Sequence, residues 1–181
     1  NEYCKIYKNE EFIYREYTVM QPLQRSYAIT RERIEAMLSK GSLSSLYDQA
    51  KVDELENMEE LSGKDLMKLE NYQNNQPLYE AIIAALQTAV SEQLYDSPKA
   101  FTPVLTKALA NATADKKLLD KIADGLSVMD KDAEIQKDKK GNVIYDKETK
   151  DTELVKWEEN ISDYMAREVL PHVPDAKAFF E

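Results

Sequence analysis

Glycine is scarce in this 181-residue chain: only Gly41, Gly63, Gly125 and Gly141 occur, and no two lie within ten residues of each other. A glycine-rich phosphate loop needs several glycines close together so that backbone N–H groups can approach an anion, and no such loop is present. One cysteine, Cys4, excludes an internal disulfide and a cysteine-cluster zinc site. One histidine, His172, excludes a histidine-pair metal site and a two-histidine relay. Basic charge is in deficit, with 24 Lys and Arg against 34 Asp and Glu and a formal net charge of −10. Such a chain repels the phosphate backbone unless its basic residues cluster, so duplex DNA is expected to bind it weakly and without sequence preference. Long apolar runs are missing too. The longest in a helical stretch, Ala81–Leu86, has six residues, far short of the roughly 18 that a membrane-spanning helix requires. No signal peptide is read at the start, and with a lone cysteine the expected compartment is the cytoplasm. Asn1 is followed within two positions by strand-like residues, which reads as a piece of something larger.

What is present is enough to fold. The chain is 43% hydrophobic and 32% charged, a composition for one domain, or a domain with an appendage, that needs neither disulfide nor metal. Residues 1–28 read as a β-ribbon. Phe12, Tyr14, Glu16 and Thr18 alternate with Ile13, Arg15, Tyr17 and Val19, a β-branched and aromatic run with large apolar groups on both faces. Tyr3–Tyr7 is a shorter strand with Lys8–Glu11 as the turn, and Leu23–Tyr27 returns as a third strand after Pro22. Cover on both faces is expected, much of it from outside this chain.

Residues 29–130 switch to a helical period. Thr30 is an N-cap for a helix carrying Ile34, Met37 and Leu38, with Gly41 as its stop. Ser45 is read as the cap of a second helix. The stretch 41–75, with three basic and eight acidic residues, reads as a solvated helical arm that Ser62 restarts. Pro77 is placed in the first turn of the most apolar helix, which carries Leu78, Ile82, Ile83, Leu86, Val90 and Leu94. Ser97-Pro98 and Thr102-Pro103 both offer starts for the next helix, and Thr113 caps one running through Leu118, Ile122, Leu126 and Met129. Residues 131–152 read as a charged hairpin or loop around Lys139-Lys140-Gly141-Asn142. Residues 153–181 read as a last helix, to about Leu170, followed by a proline-rich tail. The expected fold is therefore mainly α with a small β part: an N-terminal antiparallel β-ribbon, a helical bundle and a short exposed hairpin.

Each conspicuous residue has an ordinary structural role to set beside a functional one. His172 has no nucleophile or carboxylate at helical spacing, and Cys4 has only Lys5 as an activating charge. Asp53, Glu54, Glu56, Glu59 and Glu60 lack the spacing and glycine of a calcium loop and read as a solvated face. Trp157, Ile161 and Tyr164 fall on one side of the last predicted helix. They serve either to anchor it on a core built by Ile82 and Leu86, or as the buried anchor of a protein interface. Pro171 and Pro174 stiffen the tail and present His172 and Val173. These five residues, Trp157, Ile161, Tyr164, His172 and Val173, are the candidate subunit contact. No catalytic, cofactor-binding or metal-ligating residue is assigned.

Two stretches go further. Phe12-Ile13-Tyr14-Arg15-Glu16-Tyr17-Thr18-Val19-Met20-Gln21-Pro22-Leu23 resembles the phrase that follows the catalytic region in the modification (methylase) subunits of type I restriction–modification systems, commonly Phe-Gly-Tyr-Arg-x-Ile-Thr-Val-Glu-Arg-Pro-Leu. Asp151-Thr152-Glu153-Leu154-Val155 and Arg167-Glu168-Val169-Leu170-Pro171-His172-Val173-Pro174-Asp175-Ala176 resemble the C-terminal region of the same family, and Lys139-Lys140-Gly141-Asn142 is similar to its pattern as well. The order is the same, so the resemblance spans nearly the whole chain, while 41–130 is not diagnostic. Ile13, Tyr17 and Met20-Gln21 depart from the usual glycine, isoleucine and Glu-Arg.

The resemblance implies a parent that transfers methyl from S-adenosylmethionine to adenine N6 in DNA, flipping the base out of the stack. It implies partners as well: a specificity subunit that reads the sequence, a restriction subunit for cleavage, and DNA reached through the assembled complex. The family's Asn-Pro-Pro-Phe/Tyr phrase and its glycine-rich cofactor turn are absent from this sequence. No catalytic residue carries over. The chain alone is expected to be without methyltransferase activity or S-adenosylmethionine binding, as a C-terminal structural and subunit-interaction fragment. Two other classes stay open at this point: an acidic DNA mimic, and a stand-alone helical adaptor. Against the mimic, residues 113–152 interleave nine basic with ten acidic residues, which leaves no continuous phosphate-like stripe.

Overall fold

A computed structural model describes residues 12–112 and 114–180. In chain order the elements are β1 (Tyr14–Pro22), β2 (Arg25–Tyr27), α1 (Arg31–Ser39), α2 (Gln49–Glu56), α3 (Gly63–Thr88), α4 (Pro98–Ala108), α5 (Lys116–Gly125), β3 (Ser127–Met129), β4 (Tyr145–Lys156), α6 (Ile161–Tyr164) and β5 (Lys177–Phe180). A π-helical turn, Met165–Val169, continues α6. Helix makes up 44% and strand 21%, so the chain is mixed α/β, with more strand than the expected mainly-α fold. It divides into two compact units, one of residues 25–134 and one formed by 1–24 together with 135–181.

The unit of residues 25–134 is helical. Thr30 Oγ1 accepts from Arg33 N (3.2 Å) to start α1, and Gly41 ends it with φ of 67°, the left-handed conformation that suits glycine. The next helix begins later than Ser45 implied. Asp48 Oδ1 accepts from Lys51 N and caps α2, because a carboxylate is at least as good a cap as a hydroxyl. Ser62 caps α3 (Ser62 Oγ from Asp65 N, 3.3 Å), but this helix then runs unbroken for 26 residues. Pro77 lies inside it rather than in a first turn. The proline deprives the Gln73 carbonyl of its N–H, yet both halves of the helix are held by packing. Tyr72 joins Tyr47, Val52 and Leu55 in one small cluster, Ile82 and Leu86 join the main core, and Tyr79 packs against both. The 41–75 stretch is therefore not only a solvated arm.

Helix α4 starts at Pro98, and Thr102 is internal, its Oγ1 donating to the Pro98 carbonyl (2.7 Å). Asp115 Oδ1 accepts from Leu118 N (2.7 Å) and caps α5; Thr113 lies outside the described residues. The helix stops at Gly125, and Met129, read as helical, is in β3. The reason is that β2 offers a pairing edge: Arg25, Ser26 and Tyr27 pair antiparallel with Met129, Val128 and Ser127. Tyr27 also exchanges backbone hydrogen bonds with Tyr95 (2.8 and 2.9 Å). The core holds Met37, Ile82, Leu86, Phe101, Leu105, Ile122 and Leu126. Arg33 ties its strand pair to the helices, donating to the Ser26 and Leu126 carbonyls (2.8 and 3.1 Å) and to Ser26 Oγ (3.0 Å). Burial lowers the Arg33 pKa from its ordinary value.

The other unit is a three-stranded antiparallel sheet ordered β4-β1-β5. Tyr14 pairs with Lys156, Thr18 with Thr152 and Val19 with Asp151, and on the other edge Tyr17 pairs with Phe180 and Val19 with Ala178. The register shifts between Val19 and Gln21, where Gln21 N donates to Thr149 Oγ1 (2.9 Å). Met165 and Val169 pack with Val19, so one face of β1 is covered from within the chain. The Tyr3–Tyr7 strand lies outside the described residues. Leu23–Tyr27 does not form one third strand. Leu23 N donates to the Ile144 carbonyl (2.8 Å) and Leu23 O accepts from Gln136 N (2.9 Å), whereas Arg25–Tyr27 belongs to the other unit. Residues 135–144 turn back on themselves through the Lys137–Val143 bridge, with Gly141 at φ of 85°.

The predicted last helix, 153–170, is the main correction. Residues 145–156 form β4, and helical backbone begins only at Ile161. Among the described residues, strand β4 sits at the sheet's edge, with only Asp146 and Val155 of the strand buried. Its lysines with Glu148, Asp151 and Thr152 are exposed, and the strand carries no apolar alternation, which is how edge strands discourage unwanted pairing. The hairpin-or-loop boundary at 152 thus falls in mid-strand.

Candidate subunit-contact site

The five proposed contact residues all lie in the sheet unit, but not on one helix face. Trp157 follows β4 in a turn, its N–H donating to the Ile13 carbonyl (2.9 Å), which prolongs the β1–β4 ladder by one rung. It is 48% exposed and so is not a core anchor. The Arg15 guanidinium carbon lies 4.1 Å from its ring centroid, a cation–π stack on a strand neighbour. Ile161 opens α6 and is half-buried with Val19 and Met165. Asn160 caps that short helix, its Oδ1 accepting from Ser162 N (2.8 Å). His172 is exposed, Val173 half-buried, and both backbone N–H groups donate to the Val169 carbonyl (3.0 and 2.9 Å). The structure joins Ile161 and Tyr164 on one short helix and separates Trp157 from them along the chain.

Tyr164 does mechanical work in this unit. Its hydroxyl donates to Glu153 Oε2 (2.5 Å), locking α6 to β4. That hydrogen bond and burial, with Glu153, Glu168 and Glu159 nearby, push its pKa up to about 12. Arg167 bonds Glu159 (2.6 Å) and Glu168 (2.7 Å), and these bonds raise its pKa. A tyrosine whose folded pKa lies above the unfolded value near 10 contributes stability that is complete below pH 10 and lost as pH rises through about 12. Tyr164→Phe is therefore expected to lose about 1 kcal/mol at neutral pH, discounted for partial exposure. Its deficit relative to the parent should shrink between pH 10 and pH 12. Urea unfolding of both proteins at each pH checks this, and a deficit independent of pH would show that the fold does not raise the hydroxyl's pKa.

At this end of the sheet lie exposed apolar side chains that the candidate contact does not include. Ile13, Tyr14 and Leu154 are 45%, 49% and 59% exposed. Leu154 pairs across from Glu16, diagonal to Tyr14 on the same face, while Ile13, Arg15 and Trp157 share the opposite face. The signal is the pair of apolar faces on Phe12–Val19, both exposed at the N-terminal end among the described residues. The acidic residues Asp53, Glu54, Glu56, Glu59 and Glu60 are all exposed, and Cys4 lies outside the described residues. Among the described residues, no cluster of three or more His, Cys, Asp or Glu is arranged to hold a metal. No described helix is long and apolar enough to cross a membrane.

No protein-family model, curated protein or solved structure matches this chain. The functional reading consequently rests on the sequence phrases and on where the fold puts them.

Proposed function

We propose that this chain is the C-terminal structural and subunit-interaction segment of a type I restriction–modification methylase subunit, whose parent methylates adenine N6 in DNA with S-adenosylmethionine. One observation supports it. The two resembling phrases, far apart in sequence, are antiparallel partners: Arg15 pairs with Val155, Tyr17 with Glu153 and Val19 with Asp151. The third phrase, Arg167–Ala176, forms the helical turn and the approach to β5, whose Ala178 pairs with Val19 on the other side. All of the phrases fall in the sheet unit, and the stretch without diagnostic residues makes up most of the other.

In this reading the exposed patch around Trp157 and Arg15 meets the specificity subunit, and the restriction subunit and DNA are reached through the assembled complex. The cofactor belongs to the parent's catalytic region. The test is made on the full-length subunit with its specificity subunit. Trp157→Ala should weaken assembly by roughly tenfold or more while leaving the subunit folded, as for an exposed aromatic anchor; His172→Ala tests the tail in the same assay. Assembly unchanged in both variants would remove the contact. A micromolar calorimetric dissociation constant for S-adenosylmethionine on the isolated chain would remove the fragment reading itself. So would a coding sequence with no Asn-Pro-Pro-Phe/Tyr phrase upstream.

A further inference from the structure

The helical unit contains a cleft of about 510 Å³ between the 41–50 segment and α3. We propose that this cleft binds an organic cation, a guanidinium or primary ammonium group. Its walls include Tyr47 and Tyr79, whose ring centroids are 5.3 Å apart at an interplanar angle of 43°, with Leu38 and Leu43 beside them. Two carboxylates, Asp48 and Glu80, line it as well. Aromatic faces flanked by carboxylates are what a cation on an apolar stem fits, since ring quadrupole and charge attract it together.

Hydrogen-bond accounting points the same way. Three side-chain donors in the cleft are committed: the Tyr47 hydroxyl to Gln49 Oε1 (2.5 Å), Gln49 Nε2 to Asp53 Oδ1 (2.7 Å) and Gln76 Nε2 to Glu80 Oε1 (2.8 Å). Acceptors are left over. Glu80 Oε2 has no partner among the described residues, and Asp48 Oδ2 has only Lys51 Nζ at 3.7 Å, on a side chain 48% exposed. Tyr47 senses the resulting field, because burial together with Asp53, Glu80 and Glu56 raises its pKa. The Asp48 and Glu80 carboxylates oppose a nucleotide or phosphate, which would bring charge of the wrong sign to them. The volume lies within the range of small-ligand sites and takes an arginine or lysine side chain with its stem. This inference is independent of the methylase reading.

The experiment uses the whole chain with labelled tyrosine rings, titrated by nuclear magnetic resonance at low ionic strength. The probes are N-acetyl-arginine amide, its neutral isostere N-acetyl-citrulline amide, and spermidine. Tyr47 and Tyr79 should shift saturably with the arginine amide, with a dissociation constant on the order of 1 mM, and not with citrulline amide. Tighter binding of the arginine amide assigns the cleft to a partner protein's side chain, and tighter binding of spermidine to a free polyamine. Glu80→Gln, and separately Asp48→Asn, which keeps a helix cap, should each weaken binding by about tenfold. Glu92→Gln, exposed and outside the cleft, should leave it unchanged. Equal shifts with citrulline amide, no saturable shift, or full affinity in both cleft variants would overturn the proposal.

Discussion

Phe101→Ala should destabilise the chain by about 3–5 kcal/mol, the largest loss expected from any single truncation here. Phe101 is fully buried, and its ring sits between two others, 5.5 Å from Tyr27 in a stacked pair and 5.6 Å from Tyr95. Those two tyrosines are joined through their backbones as well, so they cannot collapse into the vacated space without breaking the Tyr27–Tyr95 bridge. The cost therefore combines lost transfer energy, a residual cavity and two lost ring contacts. Urea unfolding followed by far-ultraviolet circular dichroism measures it. A loss below about 1 kcal/mol would mean that the site collapses freely, and that the aromatic stack does not organise this core.

Gly125→Ala should also destabilise, against the usual direction. In a helix, alanine is ordinarily favoured over glycine by about 1 kcal/mol. At the end of α5, however, a Cβ would fall inside contact distance of Met37 Cγ, and only 3.1 Å from Met37 Sδ and Ser42 Oγ. Met37 is fully buried, so it has little room to yield, and an overpacking cost of about 1–3 kcal/mol is expected to prevail. Gly63 is the control: it starts α3, and a Cβ there meets nothing within 4 Å. Gly63→Ala should be neutral or slightly stabilising. Thermal unfolding of the pair separates the two sites, and a Gly125→Ala variant as stable as the parent would show that Met37 repacks.

Local signals in the sequence were legible where the chemistry is local. Thr30 caps the helix expected of it, Ser62 is a cap although of a helix far longer than the short one expected, Gly41 takes the left-handed stop, and Pro98 starts α4. Ile82 and Leu86 are buried, in keeping with an apolar helix. The errors have two causes. Ser45 reads as a cap while the fold uses Asp48, and Pro77 reads as a boundary although packing on both sides carries α3 through it. The larger cause is pairing at long range. Strand β4 shows no apolar alternation because it is an edge, and only its partner β1 makes it a strand, so Trp157 was placed on a helix that begins four residues later. For the candidate contact, Ile13, Tyr14 and Leu154 were missed for the same reason: exposure on a sheet depends on which partner strand ends where.

The chain enters the helical unit through β2 and leaves it through β3, and those two strands are hydrogen-bonded to each other. For the sheet, the intervening hundred or so residues are a loop that must be closed before β1 can meet β4. Closing a disordered loop of that length costs about 4 kcal/mol in chain entropy, and the cost grows only logarithmically with length. Once β2 and β3 have paired, the ends already lie side by side, and the effective loop shrinks to the two residues between β1 and β2 and the fifteen between β3 and β4. The sheet is then insensitive to what lies between the two strands. An insertion of different length or composition, provided it brings its ends together, leaves the pairing of β1 with β4 and β5 the same thermodynamic problem.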